Sequence, residues 1–162
     1  MDDKRLVERL ARGGAAGFTG TLALQGLRMA SQRWFPTTMP PIKEDPGAFM
    51  VEQVEQSLPA AMRERVPAIV ETAASKSMAV GYGLTAGALY AALRPNSGHV
   101  VIEGVALGLG TWAVGYLGWL SRLGLMPPLR EQGAVEVIAP AARHALFGVA
   151  TVASYRWLRH HV

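Results

Sequence analysis

The sequence predicts an all-α integral membrane protein: four transmembrane helices, with a short amphipathic helix in the first extracytoplasmic loop. Three observations predict it. Half of the 162 residues are apolar and only 17% are charged, below the roughly 25% of ordinary soluble domains. Those charges cluster between long apolar runs. Glycine is abundant (18 residues) while aromatics make up 7%, a mixture suited to helices packed closely in lipid, where small residues let backbones approach.

The first apolar run, "GGAAGFTGTLALQGL" at 13–27, is uncharged and predicts a span over about 12–34. "SMAVGYGLTAGALYAAL" at 77–93 predicts the second, over 68–94, and "GVALGLGTWAVGYLGWLS" at 104–121 the third, over 101–122. The fourth, 135–158, is interrupted by Glu136, Arg143 and His144. A helix needs about 20 mostly apolar residues to cross a bilayer, so each run is extended by a turn into its flanks. A soluble Ala/Gly-rich bundle is the rival reading. Four near-spanning runs in a chain of one-domain length, 1–162, weigh against it.

The longest connection, 35–76, opens with "FPTTMPPIKEDPG", whose prolines preclude regular helix. Asp45 then offers an N-cap and Pro46 a first helical residue. In the following "AFMVEQVEQSL", Met50, Val54 and Leu58 form an apolar stripe beside Glu52, Glu55 and Gln56. This predicts an amphipathic helix at 46–58, lying on the membrane surface or covering the bundle, as a packed connector rather than a lid. Pro67 is expected to open the next long helix.

Four spans place both termini on one side. Lysine and arginine divide evenly between the sides, so the density of Lys4, Arg5, Arg9 and Arg12 before the first span decides. Both termini of this multi-pass protein are expected to be cytoplasmic. The first run continues through Arg28 to "SQRWF" without a small-residue cleavage site, which argues against a cleavable signal peptide. The net charge of +4 is explained by these flanks, so nucleic acid is not an expected partner. With no cysteine, thiolate chemistry and Cys-ligated metals are excluded.

Small residues recur at i, i+4: Gly13 with Gly17, Ala16 with Gly20, Gly83 with Gly87, Gly104 with Gly108. These faces permit close helix contact within the bundle or with another subunit. Trp34, Trp119 and Trp157 stand near predicted span ends, as interfacial anchors do.

A rise of about 1.5 Å per residue places the polar residues in depth. Measured from the cytoplasmic side, Arg28, Lys76 and His144 lie about 20–27 Å along their helices. With Gln25, Glu71, Glu136 and Arg143 they form a polar layer in the outer half. Glu103 lies at the other end, with Arg94, Arg156 or His99 as its expected partners. On the fourth helix Glu136, Pro140, Arg143, His144, Thr151 and Tyr155 share one side; Ile138, Ala141, Ala145, Leu146, Val149 and Val152 share the other. Charge at mid-bilayer is costly, so the polar side should face inward.

The second half, with "GALYAALRP", "WLSRLGLMPPL" and "ARHALFG", resembles the YagU-like group of small bacterial inner-membrane proteins. The resemblance covers roughly 77–158. It rests on Gly124, Leu125, Pro127 and Pro128, then His144 and Gly148. It implies a helical inner-membrane protein and carries no established activity.

The polar layer supports several readings. In a structural one, Arg143 pairs with Glu136 or Glu71 and His144 bonds across the bundle. In a ligand reading, Arg28, Arg143, His144 and Lys76 hold an anion or lipid head group. In a third, His144 handles protons beside Glu136 or Glu71. Haem is disfavoured, since no second axial histidine stands at the right depth, and no cofactor or metal is expected. No hydrolase motif or phosphate loop is present, so an enzyme is disfavoured. The expected function is that of a non-enzymatic polytopic membrane protein, an accessory subunit of a larger complex. The alternative is a small transporter or an anion- or lipid-head-group-binding protein. The bilayer and a membrane-protein partner or second copy are the expected partners.

Overall fold

The computed structural model describes residues 3–59, 68–94, 96 and 98–161, and their regular structure is helical throughout. Helix α1 is Asp3–Trp34, α2 Pro46–Gln56, α3 Ala68–Leu93, α4 Val100–Leu120 and α5 Ala134–His161. Short 3₁₀ turns occupy Pro36–Thr38 and Leu129–Glu131. The start expected at Pro67 lies outside the described residues. Helix α1 extends well before the predicted residue 12, because the basic segment Lys4–Arg12 continues the same helix. It ends where Pro36 removes a donor and pushes its predecessor out of helical geometry.

The four long helices form a ring of unequal sides. Helix α1 packs between α3 and α5, and α5 packs in turn on α4; α3 touches α4 only marginally. Each close side is lined by glycine. Across α1–α3, a Cβ on Gly17 would strike the Gly83 carbonyl oxygen, and one on Gly87 the Gly13 carbonyl. Across α1–α5, Gly20 lies against Thr151 and the Phe147 carbonyl. Across α4–α5, Gly108 meets the His144 carbonyl and Gly148 the Gly104 carbonyl. Ala16, Tyr90, Ala91, Val152 and Tyr155 fill the middle.

The fourth side, α3 to α4, is held by long polar side chains instead. The Tyr82 hydroxyl donates to the Thr111 carbonyl at 2.9 Å. Near the termini end, Tyr90 and Arg94 both reach Glu103.

With glycine and alanine at the contacts, the large apolar side chains point outward. Leu22 and Met29 on α1, Leu89 and Leu93 on α3, Val101 and Ile102 on α4, and Ile138 and Leu146 on α5 are all exposed. By length and composition, two of the helices, α4 and α5, are apolar enough to cross a bilayer. The described parts of α1 and α3 fall short of that measure. Their apolar stretches are built largely from Gly, Ala, Ser and Thr, each contributing little transfer free energy.

The buried face of α5 is wider than its sequence pattern suggests. Pro140, Arg143, Thr151 and Tyr155 are buried, but so are Phe147, Gly148 and Val152. Because α5 serves two neighbours, it buries two stripes: Phe147 and Thr151 face α1, while Gly148, with Val152 one turn on, faces α4. The helix runs unbroken through Pro140.

Helix α4 changes pitch: Ala113–Leu120 is π-helical, which the apolar pattern did not signal. It ends in a Schellman motif. Leu125 N–H donates to the Leu120 carbonyl at 3.1 Å and Gly124 N–H to the Ser121 carbonyl at 3.2 Å, with Gly124 at φ 72°. The apolar contact that accompanies this cap is present, as Leu120 and Leu125 share a buried cluster with Met126. The motif "GLMPP" is therefore a helix stop: the glycine supplies the left-handed residue, and the prolines prevent resumption. Replacing Gly124 with Ala is expected to lower stability by about 1 kcal/mol, measured as a fall in the thermal midpoint in detergent.

This cluster closes the end of the bundle away from the chain termini. Ile42 and Phe49 from the first connection pack on it with Tyr116 and Trp119, and Lys43 N–H donates to the Leu125 carbonyl at 3.0 Å. Asp45 caps α2 through Gly47 and Ala48 N–H at 3.0 and 3.1 Å and accepts from Ser75 on α3 at 2.9 Å. Helix α2 thus docks through its N-terminal end. The expected stripe does not become a buried face: Val54 is exposed and α2 buries no residue. The helix also stops at Gln56, short of 58, where Ser57 turns its hydroxyl onto the Val54 carbonyl.

Candidate functional site

The polar residues of the closed end separate into three groups. The central one lies where α1, α4 and α5 meet beneath the Pro36–Thr38 turn. Arg143 is buried, and its guanidinium donates to the Thr38 carbonyl at 2.8 Å and to the Thr38 hydroxyl at 3.3 Å. The arginine therefore ties α5 to the chain leaving α1. Pairing with Glu136, one of the sequence expectations, does not occur. Arg28 comes from α1, within electrostatic reach of Arg143 and Tyr116.

His144 is half-buried and turns the other way, toward α4. Its Nδ1 lies 2.9 Å from the Pro140 carbonyl. A carbonyl only accepts, so Nδ1 carries the proton and Nε2 is the acceptor of the neutral ring. The imidazole meets Tyr116 edge-on, with centroids 5.5 Å apart, and Tyr116 stacks on Trp112 at 6.0 Å. These aromatics reach the histidine from the start of the π-helical segment. Among the described residues, no carboxylate is bonded to Arg143 or His144.

Glu136 belongs to the second group. Its carboxylate accepts from Gly133 N–H at 2.7 Å, the reach-back of a capping box at the start of α5. This local role removes it from the arginine cluster. Lys76 belongs to the third. It is exposed on α3 and lines a cleft with Asp45 and Glu52 of the first connection. The side chain of Glu71 lies outside the described residues. The structure thus brings together Arg28, Arg143 and His144 and leaves Glu136 and Lys76 elsewhere. The packing glycines fall into facing sets: Gly13 and Gly17 against Gly83 and Gly87, and Gly104 and Gly108 against α5.

Sequence reasoning missed Thr38 and Tyr116 as partners. Thr38 stands in a proline-rich connection with no periodicity to orient it. Tyr116 stands within an apolar run, and its meeting with His144 depends on the α4–α5 register, set by Gly104, Gly108 and Gly148. Glu103 was expected to meet Arg94, Arg156 or His99. It accepts from Arg94 at 2.6 Å, from Gly98 N–H at 2.8 Å and from the Tyr90 hydroxyl. Among the described residues no group of three histidine or acidic side chains is placed to hold a metal ion. Comparisons with family models, curated proteins and solved structures found no match to the chain.

Proposed function

We propose that this chain is a four-span, non-enzymatic protein of the bacterial inner membrane, with both termini cytoplasmic, and that it serves as an accessory subunit of a larger membrane complex. The observation that carries the reading is the inversion of its packing. Helices meet through glycine, alanine, threonine and tyrosine, while leucine, isoleucine, valine and methionine face outward on all four long helices. A water-soluble bundle buries such side chains and avoids large exposed apolar patches. In lipid the same arrangement is favourable, because small residues supply the close contacts. Only 11% of the apolar window of α4 is buried within the molecule, unlike a soluble core helix. Helices α1 and α3 complete the span set in this reading, their weakly apolar faces turned toward each other. The central polar group favours structure over transport, since Arg143 is occupied by the Thr38 backbone and hydroxyl.

The absence of cysteine gives a clean test. Single cysteines at Asp3 and Arg130 lie at opposite ends of the bundle. A membrane-impermeant maleimide is expected to label Arg130→Cys in intact spheroplasts, and Asp3→Cys only after permeabilisation. Release of the protein by alkaline carbonate, or labelling of both from one side, refutes the topology. Native mass measurement in mild detergent tests the accessory role; a stable monomer without a co-purifying partner refutes it.

A further inference from the structure

The end of the bundle that carries both termini holds a second polar site, which no sequence motif marks. Arg5, Arg9 and Arg12 are spaced i, i+4, i+7 on one face of α1, and Tyr155 and Arg159 are four apart on α5. Antiparallel packing of the two helices gathers them around a cleft of 340 Å³ that also includes Glu8.

Among the described residues, two donors in this cleft have no acceptor. Tyr155 is 1% exposed. Its ring packs edge-on against Tyr90, while its hydroxyl is shielded from solvent and makes no hydrogen bond. The Nε of Arg9 is likewise shielded and without a partner. Arg12 lies 3.8 Å from Glu8, and Arg159 reaches Asn96 at 3.3 Å. Arg9, Arg12 and Arg159 are all within electrostatic reach of the Tyr155 hydroxyl.

A buried O–H without an acceptor is unfavourable, and phenylalanine would fill the same space without that penalty. Here the hydroxyl is aimed into a cleft lined, among the described residues, by four guanidinium groups and one carboxylate. Its missing partner is therefore an acceptor, and the surplus positive charge calls for an anion. Guanidinium forks match the paired oxygens of a phosphate. We propose that this cleft binds a phosphate group, with the Tyr155 hydroxyl and Arg9 at its centre and Arg5, Arg12 and Arg159 around it. The group is that of an anionic lipid or of free phosphate, and the site is independent of the number of spans.

The test uses the full chain in a neutral detergent, titrated calorimetrically with inorganic phosphate and with mixed micelles of phosphatidylglycerol or phosphatidylcholine. Saturable binding of inorganic phosphate identifies the free ion as a source. Binding of phosphatidylglycerol above phosphatidylcholine identifies the lipid head group. Tyr155→Phe and Arg9→Gln are each expected to weaken the observed binding about tenfold. Tyr155→Phe should keep the helical content and the thermal midpoint, since it removes only an unbonded oxygen. If it lowers helicity, Arg9→Gln on its half-exposed face decides alone. Absence of binding in every titration overturns the proposal, as does unchanged affinity in a folded variant.

Discussion

Gly17→Ala is expected to destabilise the bundle by about 3 kcal/mol or more, although it adds a single methyl group. The added carbon would fall on the Gly83 carbonyl oxygen, with the Gly83 carbonyl carbon at 2.8 Å and the Gly87 Cα at 3.1 Å. These are backbone atoms, which no rotamer change can move. The α1–α3 contact must open over much of its length, and the contacts at Gly13, Thr21 and Ala91 weaken with it. Gly26 supplies the control on the same helix, where an added Cβ has nothing within 4 Å. Gly26→Ala should stabilise by about 0.5–1 kcal/mol through the lower chain entropy of alanine. Opposite signs from one chemical change on one helix are readable as shifts in the unfolding midpoint, followed by circular dichroism. If Gly17→Ala unfolds with the wild type, the close α1–α3 approach is wrong.

This contrast bears on what the sequence could reveal. Small residues at i, i+4 mark a face able to approach another helix, but they do not name the partner. Gly13 and Gly17 would suit α3, α5 or a second copy equally well. Pairing follows from a condition that no single helix carries: each glycine row needs a neighbour whose own gaps fall at the same heights. The helices themselves were legible because apolar runs and proline stops are local properties. What covers the stripe of α2 is not a local property, because helical periodicity describes a face without saying what lies against it, and Val54 on that face is exposed. Docking there depends on Asp45 and Ser75, residues 30 apart in the chain.

The polar residues follow the same logic. Depth along a helix is a one-dimensional quantity: it sets Arg28, Arg143 and His144 at similar heights without saying which way each points. Direction around the helix and competition from nearby backbone decide the partners. Glu136 was placed in the layer by depth, yet three residues before it lies an unpaired N–H at the start of α5, and the local bond is made. Arg143 finds an acceptor in the Thr38 carbonyl, a backbone group that side-chain pattern reading does not consider. The Tyr155 cleft escaped notice for the opposite reason. Its arginines are fully explained as a basic flank, and the tyrosine as one more residue on a polar face.

The second large effect is expected at Glu103. It accepts from Arg94 at 2.6 Å, from Gly98 N–H at 2.8 Å and from the Tyr90 hydroxyl, and only 13% of its side chain is exposed. Hydrogen bonds to a charged group contribute about 1.5–3 kcal/mol each, and removing the acceptor leaves the buried Tyr90 hydroxyl unsatisfied, while the exposed Arg94 and Gly98 N–H turn to water. Here the bonds join α3 to α4, the one side of the ring with no glycine contact to hold it. Glu103→Ala is therefore expected to destabilise by about 3–4 kcal/mol and to raise hydrogen exchange in the last turns of α3 and the first turns of α4. Glu103→Gln keeps an acceptor for Tyr90 and should recover about half of the loss. A double-mutant cycle separates the bonds. Tyr90→Phe and Glu103→Ala should couple by about 1.5 kcal/mol or more, whereas Tyr82→Phe, whose hydroxyl meets Thr111 instead, should add independently. Equal loss in Glu103→Gln and Glu103→Ala would show that the charge, and with it Arg94, holds this side. Coupling near zero with Tyr90 would remove the tyrosine from that role and leave Arg94 and the Gly98 backbone as the stitch between α3 and α4.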